Sequence, residues 1–222
     1  IPVYIRPSFW VVLAIFGGAL SISSVEDLIY PALFVIAGFI AILSHEMGHA
    51  LVGRKLGGGQ QTIVLELFGG LTSSHGMQLT RGGRALMILA GPMMTLLLGI
   101  ISLWLTWNIV APVMTSYNLN FWDLAISPFT AALISPKLYI LSCLIMIGEW
   151  WTILNLLPIY PLDGGQLIAQ YIRSPRKVFM TGFITAILIG LLSFQLFHGY
   201  FIPIFMALFA YSNYREYKNA PF

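Results

Sequence analysis

Six consecutive residues in the middle of an apolar run are of types that do chemistry: Ser44-His45-Glu46-Met47-Gly48-His49. On a helix, residues four apart lie one above the other on the same face, about 6 Å apart at Cβ, so the imidazoles of His45 and His49 can converge on one ion. Zinc is the ion this spacing suits. Glu46, one step round the helix from His45, is placed to take a proton from a zinc-bound water without being a ligand itself. The competing reading is a polar patch satisfied by neighbouring helices, with no metal. The preceding sequence weighs against that patch: residues 30–43 read YPALFVIAGFIAIL, and Glu and His at membrane depth are rare and usually functional.

The rest of the chain has the composition needed to bury such a group. Of 222 residues, 58% are hydrophobic and only 9% charged, and the mean hydropathy is +0.86. That excludes an ordinary soluble domain and implies an integral membrane protein. The formal net charge of +3 comes from short basic clusters beside apolar runs, which suits membrane topology and excludes nucleic-acid binding. The single cysteine, Cys143, lies inside an apolar stretch, so it can neither form an internal disulfide nor supply a cysteine-type zinc site. Nothing near Ile1 reads as a cleavable signal peptide.

Read in order, the sequence predicts a mainly α-helical membrane fold of about six transmembrane helices, with a short membrane-associated β region between the second and third. The first span covers residues 9–22, and the second runs from residue 30 to Arg54-Lys55, with the histidines in its second half. Gly57-Gly58-Gly59 stops it. Residues 61–71 alternate like a strand that ends at Gly69-Gly70. A bare strand edge is costly in lipid, so residues 62–67 either pair within the protein or offer an edge to an extended substrate. His75, in the polar loop that follows, reads as solvated. The third span, 86–110, carries Ala90-Gly91-Pro92, whose small residues and proline suit close helix packing or a kink. Residues 111–137 read as a loop with an interfacial apolar piece.

The fourth span, 138–157, contains Glu149, to which no role is assigned, and runs into Asn155-Leu156-Leu157-Pro158-Ile159-Tyr160-Pro161-Leu162-Asp163-Gly164-Gly165. The prolines break the helix, and a carboxylate on irregular backbone at membrane depth is tolerated only at a cavity or a site. A fifth span over 178–197, a tight His198-Gly199 turn and a sixth span over 201–214 complete the chain. Three parts result: a first transmembrane helix (1–29), a catalytic membrane core (30–177) and two C-terminal transmembrane helices (178–222).

Positive residues precede the first span and follow the second, fourth and sixth, so both termini are expected on the cytoplasmic side. The second and fourth spans then run in the same direction, and His45, His49 and Asp163 lie toward their cytoplasmic ends, at comparable depth, where they can meet. His45 is roughly 14 Å of helix from Arg54, below the surface but nearer the cytoplasm.

His45-Glu46-Met47-Gly48-His49, Asn155-Leu156-Leu157-Pro158 and Pro161-Leu162-Asp163-Gly164-Gly165, with Phe68-Gly69-Gly70 and Ala90-Gly91-Pro92, together resemble the site-2 protease family of intramembrane zinc metalloproteases. The resemblance covers nearly the whole chain. It implies that His45, His49 and Asp163 ligate Zn2+, that Glu46 is the catalytic base and that Asn155 helps hold substrate or the oxyanion. It also implies a transmembrane protein substrate, a lipid bilayer, regulatory membrane proteins and a prokaryotic cell membrane with the active site nearer the cytoplasmic side. The contrasting class is a metal-binding transporter or an inactive regulator of the same fold. A transporter would show paired repeats, and the two halves here have no such similarity.

Overall fold

The apolar run that leads into the histidines is helical throughout. α2 (Ile29–Gly57) has 29 residues, about 43 Å of helix, enough to cross a roughly 30 Å hydrocarbon core. It closes where Gly58 takes a φ of 67° and donates its amide to the Arg54 carbonyl at 3.1 Å, with Arg54 and Lys55 at the negative end of the helix dipole. These features come from a computed structural model that describes residues 1–67, 69–76, 78–117 and 120–221. The chain divides into two units, residues 1–152 and 153–222.

In the first unit a three-stranded sheet lies beside α2 in sequence, in the order β1-β2-β3: β1 (Val3–Ile5), β2 (Gln60–Glu66) and β3 (Gly69–His75). β1 pairs parallel with β2, and β2 pairs antiparallel with β3. The expected strand over 61–71 is therefore two strands, and Gly69-Gly70 opens the second instead of ending the first. Gln61, Ile63 and Leu65 point inward along β2, so the alternation read from the sequence is real. Because both sides of β2 are hydrogen-bonded, residues 62–66 offer no edge to a substrate. Of the two readings open at that segment, internal pairing is the one the fold adopts.

Ile63 and Leu65 join Phe9, Leu13, Ile42 and Ala50 in a buried cluster, which ties the sheet and α1 (Pro7–Phe16) to the face of α2 that carries Glu46, since residues 42, 46 and 50 are four apart. α1 has ten residues, about 15 Å, and a 3-10 turn at Ala19–Ser21 follows it, so the expected span over 9–22 is shorter as a helix. α3 (Arg81–Tyr117) is longer than expected. Residues 111–137, expected as a loop, add α4 (Phe121–Ile126) and α5 (Pro128–Ala132). Their start signals are ordinary caps: the Asn120 side chain accepts the Trp122 amide, and Ser127 accepts the Thr130 amide just ahead of Pro128. α6 (Pro136–Asn155) begins in the first unit and contributes Trp151 and Thr152 to it.

The second unit holds the end of α6, the irregular residues 156–162, α7 (Asp163–Ala169), α8 (Pro175–Phe197) and α9 (Phe201–Asn219). Ile159, Ala186, Met206 and Ala210 form its buried cluster. His198 takes a φ of 51° and donates its amide to the Phe194 carbonyl, making the tight turn expected there. Among the described residues, four helical stretches are long and apolar enough to cross a membrane: Ile29–Gly57, Arg81–Ala111, Pro136–Asn155 and Pro175–Leu196. The sixth span expected over 201–214 is the helix Phe201–Asn219, which ends in the charged residues Arg215, Glu216 and Lys218 and is not among them.

Candidate metal centre

One turn of α2 brings the two imidazoles together, with Nε2 of His45 3.1 Å from Nε2 of His49 and the rings nearly perpendicular. Both residues are buried. His49 Nδ1 lies 2.8 Å from the Met87 carbonyl on α3, and a carbonyl only accepts, so Nδ1 carries the hydrogen. Nε2 of His49 therefore presents a lone pair toward His45. Two such nitrogens at this distance must share a proton or a cation, and a metal that takes both lone pairs satisfies them.

The neighbouring helix leaves room for that. A Cβ on Gly91 of α3 would collide with the His49 ring and come within 2.9 Å of His45 Nε2, so only glycine keeps the space beside the two nitrogens open. Gly48 does the same for the backbones, since a side chain there would strike the Ala90 carbonyl. The indole of Trp151 lies edge-on to His45, with ring centroids 6.4 Å apart, and its far edge packs where a side chain on residue 69 would be. Phe68, which belongs to the motif quoted above, lies outside the described residues.

Glu46, also buried, turns to β3. The Thr72 hydroxyl donates to Glu46 Oε2 at 2.7 Å and is 3.2 Å from the Glu46 carbonyl. Gly70 sits against the Glu46 side chain, where any Cβ would collide with it. The base candidate is thus separated from the histidine nitrogens on its own helix and fixed by the sheet.

In the second unit, Asp163 is buried at the first position of α7, and Asn155 is buried at the last position of α6. The side chain of Asn213 donates to the Tyr160 carbonyl at 2.7 Å and to the Phe209 carbonyl at 2.9 Å, which steadies the irregular stretch ahead of Asp163. His75 ends β3 exposed, as expected for a solvated residue, and Glu149 is exposed on α6. Cys143 is buried in an apolar cluster with Ala37, Tyr139 and Leu144. By residue type, His45 and His49 in the first unit and Asp163 in the second are all donors that zinc accepts. The sequence did not point to Thr72, Met87 or Trp151. For Thr72 a signal existed, because strand alternation puts residue 72 on the same face as Gly70.

A helix long enough to span a bilayer, bearing a buried histidine pair with a carboxylate between them, defines a membrane protein with the donor set of a zinc peptidase. The chain belongs to peptidase family M50, whose model matches residues 33–197. It is 28% identical over 222 residues to a zinc metalloprotease of Methanocaldococcus jannaschii, covering 95% of this chain and 56% of that one. A relative from Synechocystis sp. is 27% identical over 184 residues, 78% of this chain and 42% of its own length. The chain thus spans about half the length of the curated relatives it matches. Its fold is that of the site-2 protease from M. jannaschii, with a TM-score of 0.61 and 23% identity over 97% of this chain and 90% of that structure. Zinc is the metal on which the donor set and the relative agree.

Proposed function

We propose that the chain is an intramembrane zinc metalloprotease that cleaves a peptide bond in or near the transmembrane segment of a membrane-protein substrate. One observation carries this reading: the buried nitrogens of His45 and His49 converge to 3.1 Å on a membrane-length helix, with Glu46 next to them held by Thr72. His45, His49 and Asp163 would hold the zinc. Bound there, zinc supplies a Lewis acid that acidifies water and polarises a carbonyl. Glu46 takes the proton from the attacking water and passes it to the leaving amine. Asn155 holds the substrate or the developing oxyanion. The substrate segment must be locally unwound, because a helix hides its carbonyls in its own hydrogen bonds.

The same reading gives six membrane passes, counting α1 with its 3-10 continuation and α9 beside the four long stretches. Residues 30–177 form the catalytic core, flanked by 1–29 and 178–222. Arg54 and Lys55 at the end of α2 favour the cytoplasmic side, so the zinc lies nearer that face of a prokaryotic cell membrane. Partners are then the bilayer, a transmembrane substrate and regulatory membrane proteins.

The test is cleavage of a model transmembrane peptide by the purified chain in proteoliposomes, with zinc content measured in parallel. Wild type should cleave it, and Glu46→Gln should lose about 100-fold or more of the rate while keeping its zinc, since a base is lost and no ligand is. A Glu46→Gln variant that cleaves like wild type, or that loses zinc in step with activity, contradicts the assignment.

A further inference from the structure

A buried carboxylate that must act as a base needs donors that fix its direction. On β3, residues 70 and 72 share one face. That face meets α2 at the Glu46 side chain: Gly70 gives up its volume to the stem of Glu46, and Thr72 donates to Oε2 at 2.7 Å. The distance is that of a charge-assisted O–H to carboxylate bond and is shorter than the 3.2 Å to the Glu46 carbonyl, so the carboxylate is the main acceptor. Thr72 cannot drift. It sits opposite Ile63, a fully buried residue, in a ladder that runs from Gln60 paired with His75 to Glu66 paired with Gly69. Its branched Cβ restricts the hydroxyl further.

We propose that Thr72 is a positioning residue for peptide hydrolysis: its hydroxyl ties down Oε2 of Glu46 and leaves Oε1 to accept the proton of the attacking water. This inference rests on the proteolytic reading above. It also assigns a role to β3, whose contact with α2 would otherwise be packing alone. Threonine to valine keeps the shape and β-branching of the residue and removes only the donor, so the sheet should be unharmed.

The experiment uses the full chain in proteoliposomes and compares wild type, Thr72→Val and Thr72→Ser for kcat, KM, zinc content and melting. A second readout, on metal-free protein, is the infrared carboxylate band of Glu46, assigned by its disappearance in Glu46→Gln. Thr72→Val should lower kcat about 10–100-fold with KM, zinc and melting unchanged, while Thr72→Ser stays within about threefold of wild type. The Glu46 band should shift in Thr72→Val and return in Thr72→Ser. Wild-type kcat in Thr72→Val, an equal loss in Thr72→Ser, a loss that tracks zinc or melting, or an unshifted band would each overturn the proposal. Wild-type protein that cleaves no peptide would instead refute the proteolytic reading, and the infrared band would still decide whether Thr72 holds Glu46.

Discussion

α2 and the irregular stretch 156–162 present functional groups in opposite ways. α2 is regular, so its backbone satisfies itself and the histidine face follows from the 3.6-residue period. What that face needs from its surroundings is room, which Gly91 and Gly70 give, and one bond per side chain, which Met87 and Thr72 give. The stretch 156–162 has no such periodicity. Its carbonyls need partners from elsewhere, and Asn213 answers one of them at Tyr160, while Gly164 and Gly165 pack tightly against the carbonyls of Leu156, Leu157 and Ile159. A site residue on a helix is limited by space around the side chain, and one on broken backbone is limited by what holds the backbone.

The sharpest way to break this contrast is to take away the room beside α2. Gly91→Ala should reduce bound zinc and peptide cleavage to background, because the added methyl enters the histidine rings, whereas Gly99→Ala on the same helix, with nothing within 4 Å of its Cβ, should match wild type in both. Zinc retained in Gly91→Ala would show that the space is not needed. Next in size is Asp163→Ala, which removes the ligand proposed for the broken stretch. It should weaken zinc binding beyond the roughly 10–100-fold typical of an outer-shell residue, with His75→Ala unchanged. Equal zinc affinity in wild type and Asp163→Ala after detergent purification would remove Asp163 from the set. The smallest effect is on the support of that stretch: Asn213→Ala leaves the Tyr160 carbonyl without its buried donor and should cost about 1–3 kcal/mol of stability, read by thermal melting, with zinc binding at neutral pH weakened only modestly. An unchanged melting temperature would mean that the stretch holds itself.

The same contrast explains what could be read from the sequence. His45, Glu46 and His49 were legible because type and spacing suffice on a helix, and the four long apolar stretches were legible from composition. Asp163 was legible only as a carboxylate where irregular backbone is costly, and its proposed role as a ligand came from the resemblance. The contacts that complete the first region were hidden because they cross from one element to another. Met87 acts through a backbone carbonyl that any residue would supply, and Gly91 reads as an ordinary packing glycine until the histidine rings are beside it. β1 is three residues long, too short for an alternation pattern, and without it β2 looks like an edge. The helices within 111–137 are only six and five residues long, too short for a helical period to show, and their cap residues, Asn120 and Ser127, are types equally at home in loops.

The central claim is that two histidines and one carboxylate hold a catalytic zinc, and zinc-edge X-ray absorption on the purified wild-type protein tests it most directly. The account predicts about one zinc per chain, exactly two imidazoles near 2.0–2.1 Å, the remaining ligands oxygen and no sulfur. A third imidazole, a thiolate sulfur at about 2.3 Å, or protein that binds no zinc would contradict it.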